Sequence, residues 1–225
     1  MVAKTRITKK QLKKPDEFVS WGSQALEYSL THLKYIVLGV LLSAAIIVSL
    51  VIWKQHETTS EEVAHTMLVK GIVLFHEEQS REEALSTFSH VITDYPRTKA
   101  AEVALLYRGR CYLLKNDSEQ AIDDFKLALK KSSSPVLRVI ALNSLGNSYW
   151  AQEKYQQAID YFQQVISSGD EWMKPYVLMD IGKCWEKLGD KKKAAAAYQE
   201  AIKNELPSPW STLVKTQLSK LGKIE

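Results

Sequence analysis

LNSLGNSYWAQEKYQQAIDYF, residues 142–162, decides the fold. Counting from Gly146, an aromatic follows at three residues (Tyr149), an alanine at twelve (Ala158), a second aromatic at sixteen (Phe162) and a small apolar residue at nineteen (Val165). The same offsets from Gly109 give Tyr112, Ala121, Phe125 and Ala128, and from Gly182 give Trp185, Ala194, Tyr198 and Ala201. With Gly71 the glycines are spaced 38, 37 and 36 residues, a period that marks an array of stacked helical units. Each unit must bring two antiparallel helices close together and then stack on the next. The spacing therefore puts glycine and alanine at the close approach, with the two aromatics filling the groove between neighbouring units. In the first unit Ala84 and Phe88 are displaced by one residue and Asp94-Tyr95-Pro96 closes the unit. A terminal unit packs on one side only, so divergence is expected there.

Periodicity, capping signals and prolines set helices at 61–76, 81–93, 98–114, 118–131, 136–152, 155–167, 172–188 and 191–204. Ser80, Ser118 and Asp190 are placed to cap second helices, and Pro96, Pro135, Pro175 and Pro207 punctuate the units. After Pro207-Ser208-Pro209, Trp210 to Leu221 reads as a ninth helix whose Leu213, Leu218 and Leu221 cover the last unit. The fold class is all-α, a helical solenoid of about four pairs over 61–206 followed by a C-terminal capping segment, 207–225.

Ahead of the array, Tyr35 to Trp53 (YIVLGVLLSAAIIVSLVIW) has no charge over nineteen residues. As a helix it is about 28 Å long, close to the roughly 30 Å hydrocarbon core of a bilayer. Tyr35 and Trp53 mark its ends and Lys34 and Lys54 flank it. A cleaved signal has a shorter core near the N-terminus, whereas thirty-four residues precede this run. The expectation is one transmembrane helix, 35–53, a short linker, 54–60, and the repeats beyond. Residues 1–34 hold seven cations and three acids; the thirty cations and twenty-six acids of the whole chain leave 23 of each after them. The basic excess is wholly N-terminal, so the tail is expected in the cytoplasm and residues 54–225 in the periplasm of a bacterial cell. Cations beside a membrane serve topology and attraction to anionic lipid; no nucleic-acid partner is expected. Within the tail, Pro15, Asp16 and Glu17 open a helix whose Phe18, Gly22, Leu26, Leu30, Leu33 and Val37 recur at threes and fours. That lead-in helix either lies on the inner leaflet or meets another membrane protein.

The five histidines lack metal-ligand spacing, and no phosphate loop or nucleophile elbow is present. No catalytic residue, cofactor or small-molecule substrate is expected. Cys111 and Cys184 each lie two residues after a repeat glycine, in units two apart. Layers of 8–10 Å would separate them by on the order of 20 Å, beyond the roughly 7 Å that a disulfide tolerates between Cα atoms. Two free, buried thiols are expected.

A solenoid binds partners on the inner face built from the first helix of each pair. In the glycine register the inward positions are Tyr107, Arg110, Asn143, Ser144, Asn147, Trp150, Asp180 and Lys183. Asparagine bonds a peptide backbone without demanding a sequence, and Trp150 offers an apolar anchor. The competing account makes the asparagines ordinary repeat residues and packs Trp150 against a neighbouring helix.

The pattern resembles the tetratricopeptide repeat, and the third unit matches it almost position by position. The wider layout of tail, lead-in helix, single span, repeats and terminal helix resembles the tetratricopeptide family of ancillary Sec-translocon subunits (YfgM-like). That resemblance implies a single-pass inner-membrane protein that associates with the SecYEG channel and periplasmic chaperones as nascent secreted chains emerge. Such a protein is an adaptor; a scaffold for another envelope assembly, in secretion, division or outer-membrane biogenesis, is the alternative. The tail from Lys4 to Lys14 is more basic than that family's pattern.

Overall fold

The computed structural model describes residue 21, residues 26–169 and residues 171–222. The expected tail and the start of the lead-in helix, including Phe18 and Gly22, lie outside the described residues. By contacts the chain divides into two units, 1–56 and 57–225. Helices run α1 Leu33–His76, α2 Arg81–Asp94, α3 Lys99–Leu114, α4 Ser118–Lys131, α5 Pro135–Ala151, α6 Tyr155–Ser167, α7 Lys174–Lys187, α8 Lys191–Lys203 and α9 Trp210–Leu221.

In the first unit, residues 26–31 are helical and α1 begins at Leu33. α1 holds the one window among the described residues that is long and apolar enough to cross a membrane, and none of that window is buried. Tyr35, Leu42, Ile47 and Trp53 are all more than half exposed. The linker expected at 54–60 is instead helical, inside α1. His56-Glu57-Thr58-Thr59-Ser60 contains no glycine or proline, so nothing in its backbone chemistry stops a helix.

In the second unit the expected pairs form: α3 with α4, α5 with α6 and α7 with α8, each packed on the next, with α9 on α8. The part of α1 from Ala64 to Phe75 turns Ala64, Leu68, Gly71 and Phe75 onto α2 and α3, with Ala84, Phe88, Val91, Ala104 and Cys111. Leu105, Phe125, Leu145, Phe162, Val177 and Cys184 belong to the central core, and Tyr198, Leu206 and Val214 close the far end. Every unit places the second-helix aromatic on its own glycine. A β-carbon on Gly109 would lie 2.6 Å from Phe125 Cε1, and one on Gly71 2.6 Å from Phe88 Cε1; Gly146 meets Phe162 and Gly182 meets Tyr198 in the same way. This corrects the expectation that the aromatic at sixteen fills the groove between units. It closes the two helices of its own unit, and only a residue without a side chain leaves room for the ring.

Three turns within units share one construction. Asn116, Glu153 and Gly189, each seven residues after its glycine, adopt φ of 59°, 60° and 81°. The following amide donates to the carbonyl of the aromatic at position three: Asp117 to Tyr112 at 2.9 Å, Lys154 to Tyr149 at 2.9 Å and Asp190 to Trp185 at 3.0 Å. This is a Schellman closure, and its last residue also starts the next helix. Asp117 accepts from Gln120 N–H and Asp190 from Lys193 N–H, so the cap of α4 is Asp117 and not Ser118. Ser80 stands at the cap of α2 but its hydroxyl donates to Glu77 Oε2. Two polar ties stand outside the repeat pattern, the second of them made within one repeat and extended to the one before it. Glu61 accepts from the amides of Lys99 at 2.8 Å and Ala100 at 3.1 Å, adding a carboxylate to the α3 N-terminus that Thr98 already caps. Arg108 donates to both oxygens of Asp124, at 2.8 and 2.6 Å, and to Ser89 Oγ at 3.2 Å.

Candidate protein-binding groove

The first helix of each pair presents three positions to the groove, at two before, one after and four after the repeat glycine. Successive units meet there, so the fourth-position residue of one unit faces the other two positions of the next. At the first meeting Phe75, Tyr107 and Arg110 are in contact, and at the third Trp150, Asp180 and Lys183 line one cavity; the equivalent register positions between them are Leu113, Ser144 and Asn147.

Tyr107 and Arg110 both pack on aromatic neighbours, Tyr107 half-buried and Arg110 still exposed. The Tyr107 ring stacks on Phe88 at 5.5 Å and meets Phe75 edge-on at 5.6 Å. The Arg110 guanidinium lies over Phe75 at 5.1 Å and over Tyr107 at 5.6 Å. At the far end Asn147, Trp150, Asp180 and Lys183 come together, with Phe162, around a cavity of about 370 Å³. Four of the residues expected to bind therefore share one site. Asn143 and Ser144 are half-buried on the same helix but outside its lining.

Trp150 is 39% exposed and meets Tyr155 edge-on at 6.3 Å, so part of its ring rests on α6 and part stays open. Lys183 Nζ donates to Asp180 Oδ1 at 2.8 Å. Burial raises the Asp180 carboxyl above its ordinary range although Lys183 opposes the shift. Cys184 is pushed up by burial to about 12 and Cys111, two residues after Gly109, to about 11. Both cysteines are free and buried. At neutral pH they are thiols, small apolar fillers and not nucleophiles. Tyr198 donates to Glu186, which ties α8 to α7.

What sequence reasoning missed is the Arg108–Asp124 pair. Its signal was present, an arginine just before one repeat glycine and an aspartate just before that unit's aromatic, at positions that no other unit fills with such a pair.

Comparison with known families and structures agrees with this architecture. A tetratricopeptide repeat-like domain matches residues 28–223. Among curated proteins, the chain is 29% identical over 107 residues to Protein FLUORESCENT IN BLUE LIGHT, chloroplastic, of Arabidopsis thaliana, covering 44% of this chain and 34% of that protein. It thus spans about a third of that relative. The crystal structure of MamA aligns with a TM-score of 0.55 at 19% identity, over 66% of this chain and 80% of that one. The repeat domain of Arabidopsis FLU aligns with a TM-score of 0.42 at 28% identity, over 45% and 91%. Repeats of this class mediate protein–protein interaction. The period, the stacked pairs and the match across most of its length together show that the chain belongs to the tetratricopeptide repeat-like domain family.

Proposed function

We propose that this protein is a membrane-anchored adaptor whose repeats hold protein partners at the periplasmic face of the bacterial inner membrane. The observation that carries the reading is the cavity formed by Asn147, Trp150, Asp180 and Lys183, which gathers an aromatic face, an amide and a charge pair on the helices that line the groove. Support for the anchor comes from the unburied apolar window of α1, flanked by Lys34 and Lys54 and preceded by a basic tail. The family match begins at residue 28, so it takes in that window. A single span turns weak groove binding into efficient capture, because tethering raises the local concentration of partners at the membrane. The layout favours partners of the export route: a SecYEG-type channel, a periplasmic chaperone and nascent secreted chains.

The test is in cells. A photoreactive amino acid at Asn147, followed by mass spectrometry of the crosslinked products, should yield channel, chaperone or secreted polypeptides. A single crosslinked partner from a different envelope complex would replace the export reading with a scaffold. A reporter fused after Glu225 that is active only in the cytosol would refute the assigned compartment.

A further inference from the structure

The three meetings between units are the same site built with different side chains, and the first of them displays an occupant of its own. There Arg110 lies over the aromatic at the fourth position, Phe75, at 5.1 Å. The second has Leu113, Ser144 and Asn147, with neither ring nor charge. The third restores the aromatic as Trp150, but the cation one residue after the glycine, Lys183, is held at 2.8 Å by Asp180. Among the described residues no lysine or arginine lies over the Trp150 ring. Trp185, three residues after the next repeat glycine, has Lys193 over it at 4.2 Å. Trp150 is thus an aromatic in a cation-binding position, partly exposed, beside a cavity of about 370 Å³.

Building on the adaptor reading, we propose that this cavity receives an arginine side chain of the partner, its guanidinium over Trp150 and against the Asp180 carboxylate. The volume admits such a side chain. Indole is the best of the aromatic faces for a cation, and a guanidinium combines stacking with a fork of donors that matches a carboxylate. Lys183 alone leaves the half-buried Asp180 short of compensation, in line with the upward displacement of its carboxyl. A second cation relieves that deficit, whereas an acidic side chain would add to it. The Asn147 amide oxygen, in the same lining, accepts from the remaining guanidinium N–H groups.

The test uses the full chain in lipid nanodiscs, labelled with fluorotryptophan, with Trp150→Leu identifying the Trp150 resonance. Leucine is the residue the chain itself carries at the equivalent Leu113, so the variant keeps the local packing. N-acetyl-arginine methylamide should move the Trp150 resonance in a saturable manner, and the uncharged citrulline analogue should not. Asp180→Asn should weaken the response at least about tenfold, as loss of a charged partner does, while the other tryptophan resonances stay in place and certify the fold. An equal response to citrulline, a response indifferent to Asp180→Asn, or no response overturns the arginine pocket. If that happens while crosslinks from Asn147 still capture export partners, the adaptor reading survives and only its side-chain specificity falls.

Discussion

Gly109→Ala is the sharpest probe of how the repeat works. On helix propensity alone the change stabilises α3 by about 1 kcal/mol. The added methyl, however, would stand 2.6 Å from Phe125 Cε1 and 2.8 Å from Cζ, well inside contact distance, and Phe125 is fully buried. The ring must therefore move into a packed core, and overpacking of this kind costs about 1–3 kcal/mol. The overpacking outweighs the propensity gain, leaving a net loss of up to about 2 kcal/mol, or up to roughly 8 °C in the unfolding midpoint for a body of this size. Circular dichroism of the full chain in detergent, followed through heating, reads this directly. Gly222→Ala is the control, because a β-carbon there meets nothing closer than the Leu218 carbonyl at 3.7 Å. Phe125→Leu in the Gly109→Ala background should return part of the loss, giving a favourable coupling of about 0.5–1 kcal/mol. A Gly109→Ala midpoint at or above that of the parent protein would refute the closure of glycine on ring.

Three further changes test other parts of the body. Asp124→Ala leaves the half-buried Arg108 without its carboxylate and should destabilise by up to about 3 kcal/mol, while replacing both by leucine or methionine should be far milder, both read by urea unfolding. Glu153→Gly relieves a φ of 60° at the position where the fourth unit already has Gly189, and should raise stability by about 0.5–1 kcal/mol after the extra freedom of the unfolded glycine is counted. Burial raises Cys184 from 9.0 to about 12, so the folded state favours the thiol. That contribution is complete below pH 9 and is lost as pH rises from about 9 towards 12, where only the unfolded chain ionises freely; Cys184→Ala should flatten that part of the stability profile relative to the parent, as measured by unfolding midpoints.

From residue 81 onward the helix limits were legible to within two residues because they depend on short-range signals, whereas the start expected at 61 was wrong, since the helix runs on from Leu33. Pro135 and Pro175 sit in the first turns of α5 and α7, and Asp190 caps α8, as their positions imply. The residues of the far cavity were legible because a fixed offset from glycine puts them on one face. The role of the second aromatic was not, because an offset tells which residues recur and not which way a ring points. Ser118 and Asp117 are adjacent residues that both cap well, and only the backbone closure at Tyr112 selects the aspartate. Glu61 and Arg108 escaped for a different reason. Their partners lie 38 and 16 residues away and belong to one unit each, so no period carries them. Tyr107 and Arg110 hold groove positions in register, and their contacts with Phe75 and Phe88 come from the preceding repeat, which no offset within one repeat reveals.

The shared turn explains an arithmetic oddity in the sequence. Glycine to aromatic is seventeen residues in the first unit and sixteen in the other three, whereas aromatic to next glycine is 21, 21 and then 20. Where one residue both ends a helix by its amide and begins the next, as at Asp117, Lys154 and Asp190, an insertion would break both functions and swing the following helix by about 100°. Those turns act as a ruler that tolerates no change of length. Insertions and deletions in this chain belong to the opposite edge, in the connections 95–98, 132–134, 168–173 and 204–209, and tags or probes placed there should leave the register of the array untouched.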